Sequence, residues 1–507
     1  MQGFEPQMLQ IRIFGPDRFL TFPMKSFFRL ILRVFLFVLL GLSAILIAKT
    51  ITFSSRQIEV EPPLFSESPA GATARLSEAL QIPTLSGGDP ANFARLDSLL
   101  RIHFPLAFSQ LQVESIEGGS LLLKWPGKQA KLPPILLMGH LDVVPADSVH
   151  WAYPPFSGTI ADGFIWGRGA LDDKMSIWAI MESIEQLIRE GYYPERTIYL
   201  AFGHDEESQG NMGAGQMGKK LASQGVQFEF ILDEGSFIIT EALDGLDEPL
   251  AAVAITEKGF VSFNLKLDME EGGHASMPPS FTAVSTMAHA LERIREHPFP
   301  ASLGGVTGQF FDYVGPEMSG FNRVILANKW LFAPILIDKL SADPAANALI
   351  RSTAVPTLIQ GGVRDNVLPL QVEATVNVRI LPGETIASAQ AYLEKIIDNP
   401  SIQVLLADSD YGGDPPTASS TEAFGFQVLQ KTIGEVFPEA VVAPSVSAGY
   451  TDSRHYRGVS EQIYRFSPVM LSKDDLKGMH GINERISLEN YERMIRFYRR
   501  LIRNACQ

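Results

Sequence analysis

Three short apolar runs, each ending in acids or a histidine, constrain this 507-residue chain more than any other feature. They are Pro134 to Asp142, closing on His140 and Asp142; Thr197 to Glu207, closing on His204, Asp205, Glu206 and Glu207; and Phe228 to Glu234, closing on Asp233 and Glu234. Each reads as a strand buried on both faces, because the apolar part does not alternate with polar residues. Helical patterns separate them. Asp173 to Arg189 places Ile177, Met181, Ile184 and Ile188 on one face, and Met212 to Gln224 is a weaker amphipathic segment. Strand and helix in alternation imply an α/β fold with a mostly parallel sheet and helices on both faces. In such a sheet, ligands bind outside the carboxyl ends of the strands, which is where these acids and histidines fall.

A single charged strand end is ordinary. Three that converge on one edge of a chain only 20% charged are not, since gathered carboxylates raise one another's pKa unless a cation neutralises them. Imidazole and carboxylate without thiolate is a donor set suited to zinc, with manganese or cobalt as competitors. Cys506 is the lone cysteine, which excludes an intramolecular disulfide and a Cys-rich metal site. Gly167 to Lys174 adds a glycine-rich turn that sets Asp172 at the start of a helix, without the spacing or hydroxyl of a phosphate loop. Met479-His480-Gly-Ile-Asn-Glu484 supplies another histidine just ahead of the final amphipathic helix, Ser487 to Asn504.

The N-terminus has a different character. Val34 to Ala48 is uncharged and follows Lys25, Arg29 and Arg33, so residues 1–53 read as a membrane-targeting segment. No Ala-x-Ala pattern follows, and Lys49 can snorkel to the interface, which favours an uncleaved anchor over a cleaved signal. Met24-Lys25 is an alternative start. Basic residues ahead of the run keep that end cytoplasmic and export the bulk. Residues 54–70, with Pro62, Pro63 and Pro69, form a stalk. The formal charge is −15, and the first fifty residues carry six Lys/Arg against Glu5 and Asp17; a body that acidic repels nucleic-acid phosphates. From Lys258 the pattern changes: Phe260 to Asp268 alternates like a half-exposed strand, a mixed stretch continues to 411, and Gly412 to Thr417 is a return linker.

His140-Leu-Asp142, Gly169-x-x-Asp172-Asp-Lys174, Asp205-Glu206-Glu207, Asp233-Glu234-Gly235, Gly272-Gly-His274 and His480-Gly-x-Asn-Glu484 follow one another along the chain. In that order they resemble the motifs of the dizinc exopeptidases and deacylases, a group that includes glutamate carboxypeptidase, aminoacylase and carboxypeptidase S. Gly361-Gly-x-x-x-Asn366-Val-Leu-Pro369, Thr451-Asp-Ser-Arg-His455 and Ile463 to Pro468 are most similar to the carboxypeptidase S branch, which also holds secreted N-fatty-acyl-amino-acid hydrolases. The resemblance implies a catalytic domain in two parts, 71–257 and 412–507, interrupted by an α+β lid at 258–411. It implies two Zn²⁺ ions, one held by His140 and Asp233, the other by Glu207 and His480, with Asp172 bridging. Asp142 would orient His140, and Glu206 would be the general base, with an exchange of duties with Glu207 as the alternative. His274 resembles the lid histidine that donates to the oxyanion, often in a partner subunit. Asn366 and Arg379 resemble lid residues that hold a substrate carboxylate, with Arg351, Arg364 and Arg454 as competitors for the arginine. Thr451, Asp452 and His455 match the branch motif without a derivable duty.

The implied activity is hydrolysis of an amide beside a free amino-acid carboxylate, in a peptide or an N-acyl amino acid; a non-catalytic binding protein on the same fold is the rival. Phe299 to Ile359, rich in aromatic and aliphatic residues, is expected either in the lid core or a dimer surface, or along a groove for a long acyl chain.

Overall fold

The computed structural model describes residues 8–12, 19–65, 68–407 and 412–507. The lid boundary expected at 411, and parts of the targeting segment and stalk, lie outside the described residues.

Helix α1, Met24–Ile51, runs through the whole apolar segment. Its stretch Phe27–Ile51 contains an 18-residue window of mean hydropathy 2.8, and none of that window is buried in the protein. The body is built on one large mixed sheet. At its centre β3 (Ile135–His140) lies between β4 (Ile198–Gly203) and β5 (Phe230–Asp233), all three parallel. β2 (Ser120–Trp125) pairs antiparallel with β4, and β1 (Gln112–Ile116) antiparallel with β2. On the other side β5 is followed by β12 (Ile463–Arg465), then β6 (Leu250–Glu257), to which β11 (Val441–Ser447) is added in parallel.

The central strands are apolar throughout because both faces are covered. Ile135 and Leu137 of β3 enter the main core with α2 (Lys174–Arg189), α9 (Phe424–Val436) and the last helix α10 (Leu488–Ala505). Leu136 and Met138 point the other way, into a second cluster with Met217 and Leu221 of the helix Ala214–Ser223. Ser487 caps α10 by accepting from the Asn490 backbone N–H at 3.1 Å.

After β6 the chain enters a smaller antiparallel sheet of β7 (Gly259–Asp268), β8 (Thr353–Gly361), β9 (Gln371–Ile380) and β10 (Ile402–Leu406), in the order β8-β9-β7-β10. Val261, Phe263, Leu265 and Leu267 alternate into its core against α3 (Ala283–Glu296) and α8 (Ile386–Ile397). Between α3 and β8 come four helices: α4 (Gly305–Val314), α5 (Gly320–Ala327), α6 (Lys329–Ser341) and α7 (Pro344–Ile350). Of this stretch, expected in the lid core, at a dimer surface or along an acyl groove, Val306, Phe310, Phe311, Tyr313, Val314 and Leu326 join the main core instead of the lid core, because α4 packs on β11 rather than on the small sheet, while Phe321, Trp330, Leu331 and Ile335 are exposed.

Candidate active site

β3, β4 and β5 stop at one edge of the sheet, and their ends bring the acids and histidines together. His140, 1% exposed, ends β3. Its Nδ1 donates to the Asp142 carbonyl oxygen at 3.0 Å, which turns Nε2 toward Asp172 Oδ1, 2.7 Å away. The other oxygen of Asp172 lies 3.0 Å from His480 Nε2, and that nitrogen lies 3.1 Å from Glu207 Oε1. Two donor groups result, His140 with Asp172 and Glu234, and Asp172 with Glu207 and His480; within each the candidate ligand atoms lie within 4.8 Å of one another. Asp172 belongs to both.

In the structure Glu234 is the residue whose carboxylate comes within reach of His140 and Asp172, while the expected ligand Asp233 stands one position earlier in the chain. Asp233 is the last residue of β5 and its carboxylate is already engaged: it accepts from the backbone N–H of Ser453 at 2.9 Å and of Glu234 at 3.0 Å. Successive side chains leave an extended chain on opposite sides, so the turn past the strand sends Glu234 toward His140. Asp142, the residue expected to orient His140, stands beside its ring and also serves the next strand end. Its carboxylate stays 3.4 Å from His140 Nδ1 and accepts from the backbone N–H groups of Glu206 and Glu207, both at 3.1 Å. It holds the short turn Glu206–Ser208 that presents both glutamates.

Three residues that sequence reasoning left without a role complete the surroundings. Glu484, fully buried, accepts from Arg168 Nη1 at 2.5 Å and from the backbone N–H groups of Gly169, Leu171 and Asp172 at 3.0, 2.7 and 3.2 Å. It thereby fixes the glycine-rich loop that carries Asp172. Lys174 donates to the carbonyls of Ala79 and Ile82 at 3.2 and 2.6 Å. Asp452, 5% exposed, projects against Gly203 and Gly210, where a Cβ would collide with its carboxylate. The available signal was that Asp452 and Glu484 lie inside motifs already singled out.

So many acids in one buried volume disturb each other. Burial first, then repulsion from Asp172, Glu207 and Asp142, pushes Glu206 up to about 8 despite the opposing pull of His140. Glu234 and Asp452 are pushed far up, again by burial first and neighbouring carboxylates second. Hydrogen bonding to Asp172 and Glu207 lifts His480 to about 10. This is the electrostatic signature of a site short of positive charge, and divalent cations on the two donor groups would supply it. Among the described residues the Glu206 carboxylate has no hydrogen-bond partner.

Among the described residues, the expected lid residues share no hydrogen bond or ion pair with this cluster. His274 is exposed on the two-residue strand Gly273–His274, paired with Val367–Leu368, and its Nδ1 lies 2.8 Å from Ser276 Oγ. The exposed Asn366 sits beside it and its carbonyl accepts from the Ala275 N–H at 3.0 Å. Arg379, half-buried on β9, stacks on the Phe260 ring at 4.5 Å; burial lowers its pKa. It has no carboxylate partner among the described residues. The competitor Arg351 is consumed by the Phe299 carbonyl and Ser341 Oγ, and Arg454 by the Gln209 carbonyl.

A mixed α/β sheet presenting two imidazole–carboxylate groups that share one aspartate defines a metal-dependent hydrolase. Residues 136–504 match the model of peptidase family M20/M25/M40, and the chain belongs to that family. It is 37% identical over 495 residues to the probable carboxypeptidase S-like 2 of Dictyostelium discoideum, covering 94% of this chain and 95% of that protein. It is also 37% identical to the N-fatty-acyl-amino acid synthase/hydrolase PM20D1 of Xenopus tropicalis, with the same coverage. Among solved structures, the M20 metallo-carboxypeptidase Sso-CP2 of Sulfolobus solfataricus shares the fold with a TM-score of 0.61 at 18% identity, over 86% of this chain and 99% of that one. Human carnosine dipeptidase 1 does so with a TM-score of 0.56 at 16% identity, over 85% and 95%. The chain is a metallopeptidase-type amide hydrolase.

Proposed function

We propose that the chain hydrolyses the amide bond of N-acyl amino acids, with two Zn²⁺ ions at the donor groups His140/Asp172/Glu234 and Asp172/Glu207/His480. The observation that carries this reading is the divided use of Asp172, whose two oxygens each face a different imidazole. When bound, the ions would polarise the scissile carbonyl and acidify the attacking water. Glu206, adjacent to a proposed ligand but itself unpartnered, takes the proton from that water and passes it to the leaving amine. Asp142 keeps Glu206 and Glu207 in register by holding their N–H groups. The free guanidinium of Arg379 is suited to the substrate's carboxylate. His274 and Asn366 lie together on an exposed two-stranded pairing of distant chain segments, which supports a homodimer whose lids exchange His274 as the oxyanion donor. The N-terminal helix would anchor the body outside the cytoplasm.

The acyl preference is drawn from the name of the PM20D1 relative and from the apolar helices α4 to α7. The cavity they form with β11, lined by Phe310, Phe311, Leu340 and Val446, leaves only about 50 Å³ of room, so a long chain would have to open it. At about 0.8 kcal/mol per buried methylene, four further carbons would raise kcat/KM by roughly two orders of magnitude. An acyl series from acetyl to oleoyl tests this; a flat or falling profile would leave a carboxypeptidase for short peptides. Metal analysis of Asp172→Ala tests the bridge: loss of both ions is expected, and two retained ions would refute it.

A further inference from the structure

We infer that the outer face of α5 and α6 beds into the surface of the same lipid bilayer that α1 enters, so that the catalytic body lies against the membrane instead of standing off on its stalk. This rests on reading α1 as a membrane anchor.

No residue of α6 is buried, although its sequence, Lys-Trp-Leu-Phe-Ala-Pro-Ile-Leu-Ile-Asp-Lys-Leu-Ser, is mostly apolar. Trp330, Leu331 and Ile335 are 54%, 37% and 63% exposed, and Phe321 at the start of α5 is 67% exposed. On α6 the exposed positions recur at 330, 331, 334, 335, 338 and 339, the spacing of one helical face. The opposite side is tied down: Lys329 bonds Asp312 at 2.6 Å, and Leu336 and Leu340 pack on the main core. The face is therefore held outward by a fixed scaffold, and contiguous apolar surface of this kind on a soluble body marks an interaction site.

What covers it is indicated by continuity with α1. Asn328, between α5 and α6, donates to the Leu46 carbonyl at 3.2 Å and to Thr50 Oγ1 at 3.3 Å. Arg323 of α5 donates to the Phe53 carbonyl at 2.9 Å. Lys49, at the end of the apolar run, sits 5.7 Å over the Trp330 ring. The exposed face thus begins where the 25-residue apolar stretch ends. Tryptophan and lysine side by side are the pair that settles at a membrane–water boundary. A short helix with an apolar outer face, its first charge Lys329 turned back to Asp312 and Asp338 and Lys339 at its far end, is suited to lie in that boundary.

The test uses the full chain in phospholipid nanodiscs with single cysteines carrying an environment-sensitive fluorophore. Native Cys506 is 1% exposed and stays unlabelled. Val38→Cys reports α1, Ile335→Cys and Leu331→Cys report α6, and Ile102→Cys, at a 72% exposed site on the body, is the control. With nitroxide-bearing lipid, strong quenching is expected at 38, 331 and 335, at least several-fold greater than at 102. Quenching at 38 with 331 and 335 indistinguishable from 102 overturns the inference while leaving the anchor intact. Labels at 331 and 335 shielded from aqueous iodide yet untouched by lipid nitroxide would mean that a second copy covers the face, which also overturns it. Absence of quenching at 38 removes the anchor reading itself and the inference with it.

Discussion

Glu484 offers the sharpest test of how the metal loop is held, because its carboxylate carries four hydrogen bonds and no solvent reaches it. Glu484→Ala leaves Arg168, itself 2% exposed, without its carboxylate and strands three backbone N–H groups. Breaking a buried ion pair by removing one partner costs about 3–5 kcal/mol. Glu484→Gln keeps an oxygen for the N–H groups and loses only the charge on the pair, so a smaller cost of about 1–2 kcal/mol is expected. Urea unfolding followed by tryptophan fluorescence reads both, and metal content measured alongside reads the position of Asp172. The alanine variant should lose stability and metal together. A loss below about 1 kcal/mol in Glu484→Ala, or full metal content in a variant destabilised as expected, would refute the claim that this carboxylate seats Asp172.

Glu206→Gln should keep fold and metal while kcat falls by roughly two to four orders of magnitude, the contribution of a positioned base; near wild-type turnover in steady-state assays would exclude that role. Glu234→Ala should release one ion, whereas Asp233→Asn should retain both; the reverse result by elemental analysis would restore Asp233 as the ligand. Lys258, at the entry to the small sheet, donates to the carbonyls of Ala348 and Arg351 at 2.8 and 2.9 Å, and burial lowers its amine to about 8. Between about pH 8 and 10 the unfolded chain therefore holds a proton that the folded one sheds, so stability gains from this group as pH rises. The wild-type advantage over Lys258→Met in unfolding free energy should grow across that window, and a constant difference would show that the amine does not titrate there.

Features that depend on local pattern were legible in the chain alone. The unbroken apolar strand Ile135 to His140 had to be covered on both faces, and its alternate residues do enter two different clusters. The alternation of Phe260 to Asp268 and the cap at Ser487 were equally legible, since side-chain period and N-cap chemistry are set by near neighbours. The gathering of acids at the strand ends followed from parallel pairing alone. Tertiary structure decided the rest. Whether Asp233 or Glu234 faces His140 depends on where β5 gives way to its turn and on the Ser453 N–H, 220 positions away in the chain. The duty of Glu484 exists only because the last loop folds back onto Gly169 to Asp172. An amphipathic pattern says that α4 has an apolar face but not which core receives it, and it cannot say that α6 keeps its apolar face uncovered. These choices are made by long-range packing, where the free-energy differences arise from partners that no local window of sequence contains.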